Sequence, residues 1–71
     1  MNKPESLKYN IYYGHEVGQR VVSDGEQGTV TDPGYEPGDD VLERRCVPVV
    51  FDKNKATGMI SWIKADGLNK I

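Results

Sequence analysis

Residues 17–32 read VGQRVVSDGEQGTVTD, and this pattern decides the fold class. Val17 to Ser23 carries the β-branched residues of a strand and runs into Asp24-Gly25, a strong turn signal. Gly28 to Asp32 returns as a second strand, with Val30 facing inward and Thr29 and Thr31 outward. The two runs form an antiparallel pair closed through residues 24–27. Gly28 suits a bulge or a close approach of another backbone.

Downstream, Cys46 to Asp52 reads CVPVVFD. Val47, Val49 and Phe51 share one face, and Cys46, Pro48 and Val50 the other. Both faces are apolar, so this is the strand expected to be best buried. Pro48 cannot donate to a ladder, so one side of the strand there must be an edge or a bulge. Lys53-Asn54-Lys55 and Gly58 make the next turn, and Met59 to Ile63 a further core strand. Residues 64–67 read as one helical turn and Leu68 to Ile71 as a terminal strand. Between the two halves lies DPGYEPGDDVLE, residues 32–43, an acidic, Pro-Gly-punctuated stretch expected to be an exposed loop with Tyr35 at its middle. Upstream, Tyr9, Ile11 and Tyr13 alternate with polar neighbours and suggest a short strand, although Leu7 and Ile11 also fit a helical turn. Residues 1–16 are thus expected to form an N-terminal arm or short strand packing on a barrel that spans 17–71.

Composition narrows the function classes. A chain of 71 residues is one domain, of a size that is marginal without good packing or a partner copy. Nine basic and 11 acidic residues leave a net charge of −2, without the basic excess of a dedicated nucleic-acid binder. One cysteine allows no intrachain disulfide. Met1 to Leu7 holds no apolar run of signal-peptide length, and no segment reaches the roughly 20 apolar residues of a membrane helix. The expected location is cytoplasmic.

The succession Gly18-x-x-Val21, a glycine-containing turn, Gly28-Thr29-Val30, a loop, Val49-Val50-Phe51-Asp52, then Trp62-Ile63 and Leu68 resembles the small Src-homology-3-like barrels, nearest in style to their Tudor-like and KOW-like versions. The likeness covers roughly Val17 to Ile71. It implies an all-β fold: a small, five-stranded, partly open barrel with an N-terminal arm. It implies little about function, since such folds host many unrelated activities. Asp24-Gly25-Glu26-Gln27 is less basic than a KOW-type turn. The chain is also similar in length to the type II dihydrofolate reductases, which build their site in a tetramer. Where their pore motif is Val-Gln-Ile-Tyr, this chain has Met59-Ile60-Ser61-Trp62.

The side chains capable of chemistry do not form a catalytic set. His15, the only histidine, has no evident partner and reads as an exposed polar residue at a turn. Cys46 begins a core strand and reads as a small buried hydrophobe, despite Arg44 and Arg45 before it. One Cys and one His cannot supply the four ligands of a zinc site, and the carboxylates of 32–43 lack the spacing of a calcium loop. No cofactor is implied.

What remains is binding. Tyr12, Tyr13, Tyr35 and Trp62 are rings suited to protein contact, with Asp39 and Asp40 offering charge to a basic partner. The leading expectation is therefore a non-enzymatic module that contacts another protein, or a second copy of itself as a homodimer, in the manner of a small bacterial or phage accessory protein. One alternative is a nucleic-acid-associated barrel in which Arg44, Arg45, Lys53, Lys55 and Lys64 track phosphates beside Trp62; a second is an oligomeric reductase resembling the type II dihydrofolate reductases.

Overall fold

The computed structural model describes residues 11–35 and 38–71. Its strands are β1 (Ile11–Tyr12), β2 (His15–Glu16), β3 (Arg20–Ser23), β4 (Glu26–Val30), β5 (Cys46–Phe51), β6 (Ser61–Lys64) and β7 (Asn69–Lys70), with one helix, α1 (Asp39–Glu43). β3 to β6 run as an antiparallel meander, and β7 returns to pair with β3, so the sheet order is β6-β5-β4-β3-β7. The sheet curls into a half-barrel. β1 and β2 form a separate two-stranded hairpin. No helix among the described residues is long and apolar enough to cross a membrane.

Turn chemistry sets both early hairpins. Asp24 and Gly25 lie at φ +50° and +80° between Ser23 and Glu26, the two positive values a tight two-residue connection requires. Tyr13 and Gly14, at +52° and +89°, close β1 on β2 in the same way. The first connection is therefore shorter than the expected 24–27 span. Its regular pairing also begins later than expected, at Arg20: Gln19 N–H donates to Glu16 O, while Gly18 N–H donates to Val30 O and Val30 N–H to Gln19 O, so Gly18 and Gln19 together face the single residue Val30.

β5 is buried as its composition predicts: Val47 and Val49 are fully enclosed, and Cys46, Pro48 and Phe51 nearly so. Val21, Val30, Phe51, Leu68 and Tyr12 complete the core. Pro48 lies where the β4–β5 ladder stops. Its carbonyl accepts from Thr31 N–H at 2.9 Å, so its nitrogen also faces β4. With no hydrogen to give Thr31, the ladder ends at the Val30–Val49 pair. On the β6 side Pro48 sits opposite Trp62 and interrupts nothing.

Three expectations change. The stretch 32–43 is not wholly irregular: Asp39–Glu43 is helical, with two carboxylates in its first turn and an Asp40–Arg44 pair at 3.2 Å across one turn. Five residues are too few for periodicity to reveal. The fourth core strand starts at Ser61, because residues 52–58 form a 3₁₀ turn and a further turn ending at Gly58. His15 is not exposed but 7% accessible, since the turn falls on Tyr13-Gly14 and leaves His15 opposite Tyr12 in the hairpin. Of residues 7–13, expected as a strand or a helical turn, Ile11–Tyr12 is strand and Tyr13 belongs to the hairpin turn, while residues 7–10 lie outside the described residues.

One polar network ties the sheet together. The Arg20 guanidinium donates to both carboxylate oxygens of Asp52 at 2.7 Å, and also to Thr29 Oγ1 and Gln27 Oε1. The hydrogen bonds from Arg20, followed by its charge, hold the Asp52 carboxyl below its ordinary value of 3.8. A carboxylate with a depressed value contributes its stability above 3.8 and loses it as pH falls through the lower folded value. Asp52→Asn should therefore be less stable than the parent at neutral pH, with the gap closing in strong acid. Denaturation curves at both conditions check this, and a gap independent of pH refutes it.

Candidate functional site

The aromatic side chains gather around Trp62, the only tryptophan. Alternation along β6 places Trp62 and Lys64 on the face opposite Ile63, beside Pro48 and Cys46. There the Trp62 ring meets two tyrosines: Tyr12 at 6.3 Å in an edge-on arrangement and Tyr35 at 6.5 Å, tilted by 57°. These are favourable aromatic geometries. Tyr12 is 4% exposed, Trp62 half-buried and Tyr35 57% exposed, so the row runs from the core out to solvent.

Tyr12 also lines an open groove of about 190 Å³ with Ile11, Tyr13 and Leu42. The turn of the β1–β2 hairpin sets one wall and α1 the other. They are joined where Tyr13 Oη donates to the Leu42 carbonyl at 2.9 Å. Ile11, Tyr13 and Leu42 all remain exposed, and Asp39 and Asp40 sit exposed in the first turn of α1, just before Leu42.

The expected contact residues thus divide. Tyr13 lines the groove and Tyr35 extends the aromatic row, with Trp62 between Tyr35 and Tyr12. Tyr12, expected as a contact ring, is instead a member of the core that carries the others. The sequence offered no sign of Ile11 and Leu42 as groove residues: their meeting depends on α1 folding back against the hairpin.

The expected basic face is not brought together. Lys64 pairs with Cys46 at the start of β5, near Arg45, whose carbonyl accepts from Ala65 N–H. Lys53 and Lys55 lie beyond the other end of β5, about 17 Å away at the usual rise of a six-residue strand. Lys53 is paired with Glu26 at 2.8 Å and Arg44 with Asp40 at 3.2 Å.

Chemistry-bearing groups are similarly dispersed. Among the described residues no three His, Cys, Asp or Glu side chains approach closely enough to hold a metal ion. Cys46 is a buried free thiol. The His15 Nδ1 meets Gln19 Nε2 at 3.1 Å. Burial, with a smaller contribution from the charge of Lys70, lowers the His15 pKa from 6.5. No protein-family model, curated protein or solved structure matches the chain.

Proposed function

We propose that this chain is a non-enzymatic binding module, built on a Src-homology-3-like barrel, that acts by contact with another protein. The observation that carries the reading is a pair of exposed apolar features flanking the buried Tyr12: the Tyr35–Trp62 row on one side and the Ile11–Tyr13–Leu42 groove on the other. Exposed rings backed by buried ones lose little freedom on binding, which suits them to interface anchors. The barrel part is supported by the strand order, in which a four-stranded meander receives a fifth strand beside its first after a 3₁₀ turn over Ala65–Gly67. Separation of the basic side chains to opposite ends of β5 weighs against phosphate tracking as the main activity.

The test uses a partner captured by the tagged protein from cell extract, then purified. Tyr35→Ala and Leu42→Asp should each weaken binding by about tenfold or more, the scale of an interface hot spot, while Thr57→Ala, in the exposed turn before β6, leaves it unchanged. Equal affinity for the parent and all three variants would remove the surface from the function. Titrating Trp62 fluorescence with oligonucleotides separates the other class: a response that collapses with salt would replace the protein-contact reading by a nucleic-acid one.

A further inference from the structure

Among the described residues the β1–β2 hairpin shares no ladder with the main sheet, and a lone two-stranded hairpin is marginal in water. It is held by what it buries, Tyr12 and His15, and by the Tyr13 Oη bond to the Leu42 carbonyl. His15 meets the Gln19 side chain, whose amide is oriented by a second contact. Gln19 Oε1 accepts from Glu16 N–H at 3.3 Å, which leaves the Gln19 amide nitrogen facing His15 Nδ1 at 3.1 Å. In that orientation the amide NH₂ donates, so Nδ1 accepts and the matching state of the ring is neutral with its proton on Nε2. Protonation of Nδ1 sets two donors against each other. Rotating the Gln19 amide to meet the new proton would turn its NH₂ toward Glu16 N–H, another donor.

We propose that His15 and Gln19 form a proton-sensitive latch that docks the β1–β2 hairpin at neutral pH and releases it, with the Tyr12–Tyr13 wall of the groove, on mild acidification. Charges around the ring reinforce the direction. Lys70 on β7 disfavours a second positive charge, and Glu16 is exposed beside it on β2, where adjacent strand residues point to opposite faces. Tyr12, opposite in register, contributes no carboxylate. Gln19 and Val17 are uncharged, and the Arg20 guanidinium is committed to Asp52. With a lowered histidine pKa, docking is favoured above the ordinary 6.5 and weakens as pH falls below it. Each pH unit between 6.5 and the folded value shifts the docking equilibrium by about tenfold. The latch concerns the hairpin alone and is independent of which partner the surface takes.

The experiment follows Trp62 emission, which reports the Tyr12 edge contact, together with amide exchange at Val47 and Val49 in β5, from about pH 8 to about pH 5, where histidine is the side chain that ordinarily titrates. The parent should show a transition centred below 6.5 while β5 stays protected. His15→Asn, which presents an amide oxygen near the position of Nδ1, should show none. Gln19→Glu keeps an acceptor for Glu16 N–H and offers the other oxygen to protonated His15. That raises the histidine value, so docking should be retained in acid and weaken as pH rises through it. A flat parent profile, a transition surviving in His15→Asn, or loss of β5 protection at the same midpoint each overturns the latch.

Discussion

Tyr12→Ala is expected to cost on the order of 3 kcal/mol of stability, the scale of deleting a buried aromatic ring. Tyr12 is 4% exposed and packs in one cluster with Val21, Val30, Val47 and Val49. Its removal opens a cavity that fully enclosed valines cannot move to fill, and takes away the edge contact under Trp62. Against the roughly 5–15 kcal/mol typical of folded domains, that is a large fraction for a chain of 71 residues. Tyr35→Ala removes an equally large ring from a site 57% exposed, so its effect should stay within about 0.5 kcal/mol. Urea denaturation of the two variants separates the ring that builds the surface from the ring that it presents. Equal midpoints would mean that the hairpin does not contribute to the core.

Gly28→Ala is the second large effect, expected at about 1–3 kcal/mol from overpacking. A Cβ on Gly28 would stand 2.7 Å from Val49 Cγ1, 2.9 Å from the Val50 carbonyl oxygen and 3.0 Å from Phe51 Cα. The first neighbour is a side chain with no solvent exposure, and the other two are backbone of the adjoining strand. Relief therefore requires β4 and β5 to separate, at the centre of the sheet. The measurable result is a lower denaturation midpoint with little change in slope. An unchanged midpoint would show that the two strands are farther apart than this register allows.

Gly28 is legible in the sequence as a close approach, because a strand interior gives glycine no side chain to pack and favours it where a neighbouring backbone comes near. Asp24-Gly25 and the apolar run from Cys46 to Phe51 are equally legible, since their signals are local: a dihedral requirement in one case and burial on both faces in the other. The places where the sequence misleads are set by register and distance. His15 reads as a turn residue because it follows a glycine. One residue of register, with the turn at Tyr13-Gly14, carries it inside. Tyr12 and Tyr13 are identical in type, and only the hairpin separates a core ring from a groove ring. The Arg20–Asp52 fork joins residues 32 apart, and the groove joins Ile11 to Leu42. No spacing rule reaches across such separations. The lysines group in sequence because one hairpin carries them, yet Lys53 lies in its connection and Lys64 at its open end, opposite Cys46.

The missing hydrogen on Pro48 has a further consequence. By halting one ladder at Val30 it releases the chain after Thr31 from β4–β5 pairing. Thr31 is anchored to Pro48 and Arg45 to Ala65, so both ends of this excursion are fastened independently of its content. The Tyr35 ring and the Leu42 wall of the groove therefore sit on a segment whose two ends are pinned to the sheet by backbone hydrogen bonds that involve neither of those side chains.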